Sequence, residues 1–131
     1  MEKLNSLTIN KKRYPYKCDL YVLEQIQKEY SDMFEFEHKL KGLIPRMDKN
    51  GNRIYKEDGS PDYTRTHFDL HALNLILPLM VNEGIEIEGQ SRNKEITPVE
   101  PDELIRTCDI PLYDLWALVV AEYDRCMFGK K

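Results

Sequence analysis

One apolar stretch constrains most strongly what this chain can fold into. It runs from Thr66 to Gly84 and reads THFDLHALNLILPLMVNEG. Its apolar residues cover nearly the whole circumference of a helix, which is typical of a buried helix rather than a surface one. Asn74 and Pro78 interrupt it, and it is shorter than the roughly 20 apolar residues that a membrane span needs. We therefore predict a central helix capped by Thr66, kinked at Pro78 and stopped by Gly84.

Shorter elements before this stretch are predicted to pack against it. Apolar and polar residues alternate across Ser6–Lys17 on both sides of a polar turn at 10–12, which predicts a β-hairpin. Two short helices follow. The first begins at the cap residue Asp19 and carries Leu20, Leu23, Ile26 and Tyr30 on its inward stripe, and the second ends at Gly42.

The elements after the central stretch are also predicted to be helical. Ile85 and Ile87 either extend the central helix or form a brief strand, and Pro101 starts a short helix. Pro111 opens the last helix, which ends at Gly129. Its predicted inward stripe consists of Leu112, Leu115, Trp116, Val119, Tyr123 and Met127.

Residues 43–65 differ in character from the rest of the chain. Asn50-Gly51 and Asp58-Gly59 are strong turn signals, and the run 53–56 between them has the composition of a short strand. Apolar residues are sparse here. We interpret the segment as a turn-rich hairpin excursion from the core, of a kind that tends to be mobile or functional.

These elements together predict a mainly α fold of the α+β class. The chain of 131 residues, 41% of them hydrophobic, can bury a core without metals or disulfides. We predict one domain over residues 1–131 with about five helices, an N-terminal β-hairpin and the excursion at 43–65. The three cysteines, Cys18, Cys108 and Cys126, are expected to be free thiols in a reducing cytoplasm. The first residues lack an export signal, so we expect a cytoplasmic location in the host cell.

Charge and motifs narrow the classes of function. The 19 basic and 23 acidic residues are interleaved and leave a net charge of −4, which argues against nucleic acid as a partner. His67 and His71 have helical spacing for a metal pair, but the metalloprotease pattern is absent. Asp48 begins a segment that only partly matches a calcium loop. Cys126 with His38 or His71 has no local support as a nucleophile and base. We therefore predict no enzyme, no cofactor, no metal and no membrane partner.

The N-terminal hairpin is the predicted protein-binding site. A two-stranded ribbon has exposed edges, whose unpaired backbone groups favour strand addition by another chain. Leu7, Ile9, Tyr14 and Tyr16 are the candidate residues. The two tyrosines are predicted to offer aromatic contact area on one face of the edge.

The order of these elements resembles one family. A hairpin LTINKKRYPYKCDL, a helix LEQIQKEY, a central helix ending in NEG (82–84) with the continuation IEIEG, and a final helix are similar to the tail assembly chaperones of phages and prophages of Gram-positive bacteria. The resemblance implies a mostly helical fold, binding to tape measure protein, recruitment of tail tube protein, absence from the finished tail and a tendency to oligomerise. The excursion at 43–65 departs from the shorter family pattern.

Two alternatives stay open. A structural tail completion or connector protein would share the small size, acidic balance and hairpin edge. A small helix-turn-helix regulator would use the helices that start at Pro101 and Pro111. The second of these would be the recognition helix, and it carries Arg125 alone against Asp114, Glu122 and Asp124.

Overall fold

The computed structural model describes residues 4–129, and these form an α+β fold as predicted. The elements are β1 (Asn5–Ile9), β2 (Lys12–Tyr16), α1 (Leu20–Tyr30), α2 (Met33–Lys41), β3 (Leu43–Pro45), β4 (Tyr63–Arg65), α3 (Leu70–Ser91), α4 (Pro101–Thr107) and α5 (Leu112–Phe128). The strands make two antiparallel pairs, β1 with β2 and β3 with β4. The predicted five helices and the N-terminal hairpin are confirmed.

Helix α3 is the centre of the fold, as its composition predicted. It contacts β2, α1, α2, α4 and α5. It begins at Leu70 rather than at Thr66, because the Asp69 side chain accepts a hydrogen bond from the His71 amide at 2.8 Å and caps the first turn. The helix then runs unbroken through the buried Pro78.

The C-terminal end of α3 corrects the sequence prediction. Gly84 does not stop the helix, which continues to Ser91, so the helical alternative for Ile85 and Ile87 is right. Beyond the helix, the Val99 amide and carbonyl bond the Asn82 side chain at 2.8 and 3.1 Å and tie the following linker to α3. No helix within residues 4–129 has the length and apolar character needed to cross a membrane.

The N-terminal hairpin turns sharply and lies on α3. Asn10 and Lys11 both have positive φ, 50° and 69°, as a two-residue hairpin turn that matches the twist of its strands requires. The register pairs Leu7 with Tyr14. At the end of β2 the Lys17 amide donates to the Met80 carbonyl of α3 at 3.0 Å. The hairpin is therefore joined to the central helix by backbone as well as side chains.

Helix α1 begins and helix α2 ends at the residues that the sequence predicted. The Val22 amide donates to Asp19 Oδ1 at 3.1 Å, and Gly42 ends α2 in the left-handed conformation. The inward stripe of α1 is shifted from the prediction, because Val22 and Ile26 are buried whereas Leu20 is 82% exposed. Phe36 and Leu40 of α2 are buried.

Helix α5 packs its middle against the core. Its buried residues are Leu115, Val119, Glu122 and Tyr123. Leu112, predicted to face inward, is exposed, and Trp116 is half-buried. The Trp116 indole donates to the Leu40 carbonyl at 2.7 Å, so this residue links α5 to the end of α2.

Candidate protein-interaction surface

The four hairpin residues predicted to bind a partner lie on the face that covers the core. Leu7, Ile9 and Tyr16 are buried, with exposed fractions of 5%, 1% and 4%, and Tyr14 is half-buried. The predicted aromatic contact area is therefore wrong for Tyr16, which is buried, whereas Tyr14 keeps part of its surface exposed. Alternation identified which residues share a face but not that this face would meet α3. Strand addition through the backbone edge of the hairpin stays a prediction.

Residues 43–65 form the excursion that the sequence predicted, and none of them is buried. Strands β3 and β4 make its base, and two bridges, Met47 with Arg53 and Tyr55 with Pro61, lead into two tight turns. In the first turn Asp48 Oδ1 accepts from the amides of Asn50 and Asn52, at 2.8 and 3.0 Å. The segment is thus held by its own hydrogen bonds rather than by a core.

The excursion and helix α2 enclose a groove of about 720 Å³, which we call the α2 groove. Its apolar lining consists of Phe34, Leu43, Ile44, Pro45, Pro61 and Tyr63. Phe34 is 72% exposed and Ile44 is 51% exposed. Large apolar side chains exposed together around a groove are typical of surfaces that bind another protein.

Arg53 supplies an unusual polar group to this groove. Its guanidinium carbon lies 5.4 Å from the centre of the Tyr63 ring, and that ring lies 5.3 Å from the ring of His38. Nε and Nη2 of Arg53 are shielded from solvent and have no hydrogen-bond acceptor among residues 4–129. Shielded donors without an acceptor are uncommon because desolvating them is unfavourable. The sequence had indicated Arg53 only as part of a short strand, and no local signal marks its contact with Tyr63.

One charged residue of the groove, Asp32, and one charged pair beside it already have partners. Asp32 Oδ1 accepts from the Phe34 amide at 2.9 Å and caps α2. Arg46 Nη1 lies 3.5 Å from Asp62 Oδ2. Arg53 therefore differs from its neighbour Arg46, whose guanidinium has a carboxylate beside it.

The residues considered for metal binding are separated or occupied. Helix α3 starts after His67, so His67 and His71 do not share a helix face as predicted. The His71 ring packs beside Tyr30, with 6.3 Å between ring centres, and Asp48 is used in its turn. Within residues 4–129 no three His, Cys, Asp or Glu side chains are grouped so that they could hold a metal ion.

The cysteine environment disfavours a thiolate. Cys18 is fully buried, and burial together with its hydrogen-bonded neighbour Cys126 raises the pKa of the Cys18 thiol well above its ordinary value. Its amide donates to Glu122 Oε2 at 2.7 Å, and its carbonyl accepts from Arg125 Nη2 at 2.6 Å. These contacts fasten the exit of the hairpin to α5.

Comparisons with known proteins found no relative of this chain. The chain matches no protein-family model, no curated protein and no solved structure.

Proposed function

We propose that this chain is a non-enzymatic assembly factor of the phage tail assembly chaperone type, which acts in the host cytoplasm. It binds tape measure protein and recruits tail tube protein, and its copies associate with one another. Two features support the proposal: the resemblance of its hairpin, helices and NEG segment to that family, and the exposed apolar α2 groove.

The α2 groove is the observation that carries the proposal. A client that has not yet assembled exposes apolar surface, and an assembly factor binds it by burying that surface against its own. Phe34 and Ile44 offer this area on two separate elements, and proline and tyrosine side chains also line the groove. Aromatic and aliphatic residues at a concave centre are typical of the residues that contribute most to binding.

The proposal expects genes for tape measure and tail tube proteins beside the gene of this chain, and co-expression with those proteins tests it. We expect the tagged chain to co-purify with tape measure protein. The double change Phe34→Lys and Ile44→Lys should reduce that yield at least tenfold, because it places two charges in the apolar groove. Circular dichroism should stay unchanged, since both side chains are exposed.

A matched control uses an exposed apolar pair that lies outside the groove. Leu20→Lys with Tyr21→Lys changes two exposed residues of α1, 82% and 57% exposed, that do not line the groove. We expect this variant to bind like the parent. Equal loss in both variants, or no co-purification of the parent, would contradict the proposal. Detection of the chain in purified virions would instead favour the tail completion or connector alternative.

A further inference from the structure

The α2 groove has a chemical specificity that its apolar lining alone does not explain. We infer that it binds an apolar segment of a partner protein that carries one carboxylate, and that this carboxylate pairs with Arg53. The inference rests on the proposed function only in treating the groove as a protein-binding site. It adds the chemistry of the segment that the groove accepts.

The state of the Arg53 side chain is the first argument. Two of its nitrogens, Nε and Nη2, are shielded from solvent without an acceptor, and its plane is held near the Tyr63 ring at 5.4 Å. A guanidinium presents its donors as a fork that matches the two oxygens of a carboxylate. Because these donors are shielded in the free chain, pairing with a partner's carboxylate requires that the Arg53 side chain changes its rotamer toward the groove.

The charges on the facing wall are the second argument, and they limit the partner to a single acidic group. Asp32 and Glu35 of α2 also line the groove, together with Lys39. Asp32 is committed to capping its own helix. Because the two carboxylates outnumber Lys39 on this wall, they repel a segment that carries several acidic residues, whereas one carboxylate placed at Arg53 has an opposite charge beside it. The groove thus favours an apolar segment with one Asp, Glu or terminal carboxylate.

A peptide array tests the inference without any tail protein. The probes are apolar octapeptides, each made in a version with one Asp, a version with Asn at the same position and a version with three Asp. Among peptides that bind, we expect the single-Asp version to bind about tenfold or more tightly than its Asn version, as one hydrogen bond to a charged group provides. The three-Asp version should bind more weakly than the single-Asp version.

Variants of the chain identify the residue responsible. Arg53→Gln should reduce the preference for Asp over Asn to within about twofold, while Arg46→Gln, which alters a neighbouring arginine paired with Asp62, should leave it unchanged. Circular dichroism of both variants verifies the fold. A preference that persists in Arg53→Gln, an equal affinity for Asp and Asn peptides, or an array without bound peptides would overturn the inference.

The failures of the two proposals are distinguishable. If the parent and Arg53→Gln co-purify equally with tape measure protein while the Phe34 and Ile44 variant does not, the groove binds its client without the carboxylate and only this inference fails. If the parent co-purifies with no tail protein but the array shows the Arg53-dependent preference, the proposed function fails and the groove chemistry stands.

Discussion

Gly84 of α3 lies directly against the Pro15 carbonyl of β2. A Cβ atom built on Gly84 would be 2.5 Å from the carbonyl carbon of Pro15 and 2.6 Å from its oxygen. Real side chains do not approach backbone atoms this closely. The glycine therefore allows the backbone of β2 to cross α3 at close range. The hairpin reaches the core only because this position has no side chain.

Gly84→Ala should destabilise the chain by roughly 1–3 kcal/mol, although alanine normally favours a helix interior over glycine. The reason is that rigid backbone of β2 must move. Gly89→Ala is the matched control, since its added methyl would meet at 2.5 Å the half-buried side chain of Ile96, which lies outside the helices and strands, rather than backbone. Urea denaturation measures both. A loss in Gly84→Ala no larger than in Gly89→Ala would show that the hairpin can shift freely.

Leu77→Ala should lower the free energy of unfolding by about 2–5 kcal/mol, because Leu77 is 1% exposed in the centre of α3 and truncation leaves a cavity. Leu20→Ala, at an exposed site of α1, should change it by roughly 0.5 kcal/mol or less. Chemical denaturation with equal m-values provides the comparison. Similar losses in the two variants would contradict the packing described here.

Glu122→Gln should destabilise the chain by about 2–4 kcal/mol, because this buried carboxylate accepts from the Cys18 amide at 2.7 Å and from Arg125 Nη2 at 2.8 Å. Glu88→Gln removes the acceptor of a more exposed ion pair, with Arg13 at 3.2 Å, and should cost about 1 kcal/mol or less. Thermal and urea unfolding of the two variants measure the difference. Comparable losses would assign no special role to Glu122.

Glu83 should make stability depend on pH. Burial, then a hydrogen bond to the Asp19 side chain, raise the pKa of Glu83 from 4.5 to about 7. Since the folded chain holds this proton more tightly than the unfolded chain, the protonated form favours folding. That contribution is full below about pH 4.5 and is lost as the pH rises through about 7.

The measurement compares the parent with Glu83→Gln between pH 4 and 8. Glutamine keeps a donor toward Asp19 at every pH, so the variant should gain about 1–2 kcal/mol relative to the parent on going from pH 4 to pH 8. Glu95→Gln, at an exposed position after α3 that does not contribute to the raised pKa of Glu83, serves as the control. A constant difference between parent and Glu83→Gln across this range would refute the assignment.

Local signals in the sequence were sufficient to predict where several helices begin or end. Asp19 caps α1 and Gly42 ends α2 because caps depend on side chains and backbone within a few residues. Gly84 misled the prediction, because a glycine that ends a helix and a glycine that admits a neighbouring strand look alike in one sequence. Leu20 and Tyr16 were misplaced for a related reason: periodicity groups residues on a face, and only packing decides where that face points.

The candidate site was predictable only in part. The Asn50-Gly51 and Asp58-Gly59 pairs correctly predicted where the excursion turns. Gly51 and Gly59 have the positive φ that such turns require. The groove itself depends on how the excursion lies against α2. The contact of Arg53 with Tyr63 joins two parts of the excursion across a turn, and no spacing rule in the sequence identifies it.

The excursion leaves and re-enters the core at one place. The Thr66 amide donates to the Gly42 carbonyl at 2.8 Å, and a Cβ on Gly42 would lie 2.6 Å from the Thr66 carbonyl oxygen. Replacing residues 43–65 with a short glycine-containing turn should therefore preserve the folded core, within roughly 2 kcal/mol, while abolishing groove binding. Circular dichroism and denaturation of the shortened chain would check this, and loss of cooperative unfolding would contradict it.

A segment closed off at its base in this way can be replaced as a unit. None of residues 43–65 is buried, so the core formed by α3 and its neighbours contains no side chain from the excursion. Under the proposed function, mutations that change which client the excursion binds are therefore free of the packing constraints that limit change in the core. Recognition and folding in this chain can evolve at different rates, and an engineer can graft a different loop between Gly42 and Thr66 to redirect it.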